Sequence, residues 1–231
     1  MEGQLDTSIS AALERKGLNS QPSECYPWRM KPLDVTQASV QSNIIELEKV
    51  ADQTLQSVRA LAQKSERGLD LLESMKFQKV GQDPIVGTEL NFIEQLNQTF
   101  TTLVSLLAAD DLFNECHDGQ ADYKTITLNL GTKSGSDLVV KDTAGSVVGL
   151  AEVFAAVSAK NNQKLKKDIE KVRLSEPNLT SIFRRVYFIT TEETGALTIG
   201  SNVIKLGDYE LQTLSNGVGV KRLKYPFRGR P

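Results

Sequence analysis

Glu152 stands inside VVGLAEVFAAVS, a run that is otherwise almost continuously apolar and reads as a central strand. Burying an ionised carboxylate is costly unless it is paired or holds a cation. Asp137 opens the preceding short strand, DLVVKD, fifteen residues earlier. A turn near Ala144–Ser146 pairs the two strands as a hairpin and lets both carboxylates reach one end of the sheet. Two converging carboxylates are what a hard divalent cation such as Mg²⁺ requires, with Mn²⁺ as its substitute. The alternative arrangement places Glu152 at a strand edge facing solvent and Asp137 as the cap of a turn.

A second pattern follows directly. Lys160, Lys164, Lys167 and Lys171 recur at intervals of four, three and four, forming one basic stripe on a helix expected over 161–173. Leu165, Ile169 and Val172 form its opposite, apolar stripe. Such a stripe is either a solvated face or, beside a metal site, a track for phosphates. Near the C-terminus Lys221, Arg222, Lys224, Arg228 and Arg230 crowd together without an acid, interleaved with Tyr225 and Phe227. They read as a nucleic-acid contact or as a solvated tail.

Other chemistries fall away. GTKSGS is glycine-rich but lacks the order of a P-loop and its following helix. His117 is the one histidine of the chain, and beside Cys116 it cannot complete a structural zinc site, so a turn residue is expected. The 27 basic and 29 acidic side chains leave a net charge of −2, so any nucleic-acid partner must be met by a local patch. With 231 residues, 39% hydrophobic and 24% charged, the composition is that of a globular chain with a substantial core. No apolar run is long enough to span a membrane, and the acidic, polar MEGQLDTSISAALERKG does not read as an export signal. Cys25 and Cys116 are therefore expected as free thiols in a reducing compartment, the cytoplasm.

Two halves must position these residues. Residues 1–84 read as a helical region: a short helix at 5–16, a proline-rich segment at 19–32, and a long helix over about 35–76. That helix is expected to start near Asp34, with Gln37 as its capping-box partner, and to bend at Gly68. Its stripe of Val40, Ile44, Leu47, Ala51, Leu55, Val58 and Ala62 fits a seam, either within the chain or in a dimer. Residues 85–231 begin with a buried helix over 88–113 and continue as strands at 123–130, 137–142 and 147–158, the 161–173 helix, and a buried strand, RRVYFITT. Short strands follow around TIGSN and SNGVG. The class is α/β or α+β, a central mixed sheet flanked by helices.

This order, with SGSD137-LVV and AE152-VF on consecutive strands, resembles the PD-(D/E)XK nuclease superfamily, the restriction endonuclease-like fold. The resemblance covers roughly residues 85–195 and implies that Asp137 and Glu152 hold Mg²⁺, with Ser136 where the motif has proline. It further implies that a Glu on the first core helix assists, for which Glu94 is the candidate. The family places a lysine two residues after the Glu, where this chain has Phe154. In members that supply the lysine from the next helix, the corresponding residues here are Lys160 or Lys164. The implied activity is metal-dependent hydrolysis of double-stranded DNA by a type II restriction-like homodimer. Lys160, Lys164, Lys167, Lys171, Lys221, Arg222 and Lys224 are then the backbone contacts. The rival expectation is a nuclease fold without catalysis, binding DNA or assembling through its long N-terminal helix.

Overall fold

The computed structural model describes residues 32–117, 119, 121–130, 135–160, 163–191 and 194–225. The expected helix at 5–16, most of the proline-rich segment, Cys25, Phe227, Arg228 and Arg230 lie outside the described residues.

The chain forms a mixed sheet of seven strands flanked by helices. A hairpin meander, β4 (Tyr123–Leu128), β5 (Leu138–Asp142) and β6 (Val147–Ala156), makes its antiparallel half. The Thr-Ala-Gly-Ser turn closes β5 onto β6 with Gly145 at φ +82°, a conformation in which a side chain would be strained. Helix α4 (Lys164–Leu174) then crosses over, and β7 (Phe183–Thr190) pairs parallel to β6. On the far side of β7 lie β11 (Val218–Arg222), parallel to it, and β10 (Gln212–Thr213). A separate hairpin, β8 (Ala196–Ile199) and β9 (Asn202–Lys205), fills the connection between β7 and β10.

The helices divide between the faces. Helix α3 (Phe92–His117) and the first half of α1 (Gln37–Lys64) cover one face, where Val104, Leu112 and Val40 join Ile126, Val140 and Val153 in one core. Helix α4 and the β8–β9 hairpin cover the other, with Leu165, Ile169 and Val172 packed on Leu150, Phe154 and Phe188. Alternation along β6 sends Ala151 and Val153 to the α3 core and Leu150 and Phe154 to the α4 core. Glu152 shares the parity of Leu150 and Phe154, and so points to the α4 side.

Several expectations are refined. The long helix is two, α1 and α2 (Gly68–Phe77), broken at residues 65–67 just before Gly68. Its first cap is Thr36, whose backbone N–H donates to Ser39 Oγ at 2.9 Å. Asp34 instead belongs to β1 (Leu33–Val35), where it accepts a hydrogen bond from Thr127 Oγ1 at 2.6 Å across the antiparallel pair with β4. The buried stripe of α1 is Val40, Leu47, Val50 and Thr54; Leu55 is exposed, because the face that meets α3 is rotated from the one the spacing suggests. Helix α3 continues to His117, so Asp110 and Asp111 are not at its end: Asp110 accepts from Gln41, and Asp111 pairs with Lys221. A small ribbon, β2 (Lys79–Gln82) and β3 (Glu89–Asn91), precedes α3. Cys116 is a free thiol, and its sulfur accepts the Tyr123 N–H at 3.1 Å. Among the described residues, no helix is long and apolar enough to cross a membrane.

Candidate active site

The register of the β5–β6 hairpin decides how the two acids meet. Leu138 faces Ala151 across the ladder, so Asp137 and Glu152 are the next pair along. Asp137 is fixed at that junction by three contacts. Its carbonyl accepts the Asn129 N–H at 2.8 Å, Asn129 Nδ2 donates to the neighbouring Ser136 carbonyl, and Asp137 Oδ2 accepts the Val153 N–H at 2.9 Å. A strand-opening carboxylate that caps a backbone N–H of the adjacent strand cannot drift from Glu152.

Glu152 is fully buried. Its Oε2 accepts a hydrogen bond from Lys171 Nζ at 2.5 Å, and the same ammonium lies 3.8 Å from Asp137 Oδ1. Helix α4 delivers that lysine because Leu165, Ile169 and Val172 anchor its apolar face on the sheet. Burial pushes the Glu152 carboxyl up to about 7, and the negative charge of Asp137 adds to the effect against the pull of Lys171. Burial works against the Lys171 ammonium, but its hydrogen bond to Glu152 and the nearby carboxylates raise it above its ordinary value.

One helical turn away, Asp168 is buried and accepts from Lys164 Nζ at 2.7 Å. Burial raises its carboxyl as well, opposed by Lys164. Three buried oxygens in this neighbourhood have no hydrogen-bond partner among the described residues: Glu152 Oε1, Asp168 Oδ2 and Ser136 Oγ. Asp137 and Glu152 thus present hard oxygen donors with an excess of negative charge, and one carboxylate oxygen is left open. That donor set suits Mg²⁺, which commonly takes one or two protein carboxylates and completes its shell with water and phosphate. Among the described residues, no three Asp, Glu, His or Cys side chains are grouped as cation ligands, so a third protein carboxylate is not supplied.

Glu94 is placed elsewhere. It sits in the first turn of α3 in a reciprocal cap with Asn91, and it pairs with Lys79 at 3.0 Å. The Lys79 hydrogen bond, reinforced by the Asn91 N–H, holds its carboxyl below the ordinary range. Its oxygens therefore cap a helix and serve a lysine rather than joining the acid pair.

The lysines divide in the same way. Lys164 serves Asp168 and lies 6.0 Å over the Phe154 ring, while Lys160 stands exposed in the turn after β6. The lysine that reaches Glu152 is Lys171, the last member of the stripe. Lys167, between the two paired lysines, is exposed and forms no ion pair among the described residues. Of the C-terminal basic group, Lys221 pairs with Asp111 at 2.6 Å. Arg222 is buried and donates to the carbonyls of Leu206 and Thr190. Both are committed to internal partners, whereas Lys224 is exposed beside the Tyr209 ring.

Phe154 occupies the position where the resemblance leads one to expect a lysine. It is 5% exposed and stacks on Phe188, with ring centroids 5.7 Å apart, inside the core beneath α4. The position two residues after Glu152 is therefore a packing position here. No family model matches this chain, and no curated protein matches its sequence.

Proposed function

We propose that the protein is a metal-dependent endonuclease of the PD-(D/E)XK kind, with the motif lysine relocated from the strand to α4 as Lys171. The observation that carries this reading is the convergence of Asp137, Glu152 and Lys171 at one end of the β5–β6 hairpin. Asp137 and Glu152 would hold Mg²⁺, which when bound polarises a scissile phosphate and lowers the pKa of an attacking water. Lys171 is 44% exposed at its side chain, so its ammonium can leave Glu152 and meet the developing charge on the phosphate. Lys167, with Lys160 beyond the helix, would follow the nucleic-acid backbone from the exposed side of α4. The proposed substrate is double-stranded DNA, the assembly a homodimer that presents two such sites, and the compartment the cytoplasm.

A second reading is favoured by Phe154 in the motif position. In it, the fold binds or assembles without cutting, and Lys171 is the permanent counter-ion of the acid pair. The exposed Leu69, Leu72 and Phe77 of α2 would then be its contact surface. Incubation of the purified chain with Mg²⁺ and mixed plasmid DNA separates the two. Fragments that disappear with Glu152→Ala support the nuclease, and intact plasmid at every Mg²⁺ and Mn²⁺ concentration supports the binding protein.

A further inference from the structure

We infer that the cavity of about 780 Å³ between the first half of α3 and the carboxyl ends of β6 and β7 receives an unstacked nucleobase. This inference rests on the nuclease reading and names the form of substrate the site would take. The cavity lies over the ends of two parallel strands, the position where open α/β sheets commonly bind ligands. Its wall from the end of β6 and the residue that follows it, 155–157, begins three residues after Glu152, roughly 10 Å along the strand.

The acid pair faces α4, whereas the cavity opens toward α3. A strand whose phosphate sits at Asp137 and Glu152 must therefore cross the end of β6 to place a base there. A base held in a stacked duplex cannot make that crossing, but an unpaired or flipped nucleotide can.

The lining matches such an occupant. Phe100 and Tyr225 stand stacked at 6.3 Å and offer an aromatic wall, to which every base has a face to present. Asn97 and Thr101, one turn apart on α3, direct polar groups that hydrogen-bond to nothing among the described residues. An amide and a hydroxyl supply both donor and acceptor for a base edge. The floor is already built, because Thr190 and Thr191 each donate to the Val157 carbonyl at 2.8 Å and lock the two strand ends together.

The test uses the full chain without divalent metal and a single-stranded oligodeoxynucleotide carrying 2-aminopurine, whose fluorescence falls on stacking. Ala155 is exposed and lines the cavity, so Ala155→Phe fills the space without entering the core. Wild type should bind the oligonucleotide with quenching. Ala155→Phe should weaken that binding roughly tenfold and remove the quench, and Asn97→Ala should weaken it severalfold. Binding of the fully paired duplex should change less than that of the single strand, because a paired base must first be unstacked and unpaired. Equal affinity and equal quenching in wild type and Ala155→Phe would overturn the pocket, and so would failure of wild type to bind the oligonucleotide. Cleavage by wild type with Mg²⁺ is scored separately. Cutting without any effect of Ala155→Phe removes the pocket and keeps the nuclease, whereas an Ala155-dependent quench without cutting keeps the pocket and removes the nuclease.

Discussion

The Lys171 ammonium sits 2.5 Å from Glu152 Oε2, joining a helix to a fully buried strand carboxylate. Its partner acid, Asp137, is held on the neighbouring strand by the Val153 N–H. Two strands and a helix thus meet at one charge cluster, and the cluster contains more acid than base. A lone buried ion pair contributes little net stability, but removing one member leaves an uncompensated charge.

Lys171→Met tests which lysine serves the site. Cleavage should be lost with Lys171→Met and largely retained with Lys160→Met, because among the described residues only Lys171 touches the acid pair. Lys164→Met should reduce stability through Asp168 more than it reduces the rate. Since Lys171 is 44% exposed, its removal should cost only about 1–2 kcal/mol near pH 8, less than a fully buried pair would. Near pH 5, where Glu152 can hold a proton, the cost should shrink toward zero. Urea unfolding at both pH values measures it.

The pH dependence of the metal-free chain follows chiefly from Glu152. Its carboxyl titrates near 4.5 when unfolded and is raised to about 7 by burial and by Asp137. Between these values the folded state binds the extra proton, so stability falls as pH rises through the window. The contribution is fully present below about 4.5 and gone above about 7. Asp168, raised by burial, works in the same direction. The total change from Glu152 should be on the order of 3 kcal/mol. Glu152→Gln should flatten the fall in Tm between pH 5 and 8, and an unchanged slope would assign it to other groups.

Much of this arrangement is legible in the residues, for identifiable reasons. The alternation of β4, the apolar run of β6 and the Thr-Ala-Gly-Ser turn fix a hairpin, and a hairpin brings Asp137 to Glu152. The spacing of Lys164, Lys167 and Lys171 places them on one face of α4, with Lys160 left in the turn before it, yet it cannot say which one reaches Glu152. That depends on where α4 crosses β6, which is set by how Leu165, Ile169 and Val172 seat against the sheet. Strand β1 has no signal of its own, since three residues beside a proline become a strand only through pairing with β4. Arg222 reads as surface charge because nothing near it in sequence announces the Leu206 and Thr190 carbonyls that bury it.

Gly149 is a steric requirement of the same strand. It pairs with Phe183 across β6 and β7, and a Cβ on Gly149 would overlap the Phe183 ring. That ring cannot retreat easily, because Tyr123 packs on it at 5.6 Å and the Arg185 guanidinium lies 4.6 Å from its centroid. Gly149→Ala should therefore cost about 1–3 kcal/mol as overpacking. A smaller partner should relieve it, so Gly149→Ala with Phe183→Leu should be more stable than the sum of the two single changes predicts. Strict additivity in thermal melts would show that the ring moves freely.

Phe154→Lys puts a lysine two residues after Glu152, where the proposed nuclease reading looks for one, and asks whether its place can be exchanged. The ring is 5% exposed and stacked on Phe188, so its loss should cost about 3–5 kcal/mol, with a Tm drop of roughly 10 °C. The single variant should gain no cleavage over wild type, because Lys171 already serves Glu152 and the core is weakened. The informative protein is the double variant with Lys171→Met. Position 154 shares the face of Glu152, so a lysine there would approach the acid pair from along the strand instead of from α4. Cleavage by the double variant, assayed well below its Tm, should exceed that of Lys171→Met alone. A folded double variant with no recovery would mean that the strand and helix positions are not interchangeable, and that Lys171 acts through a geometry which only α4 provides.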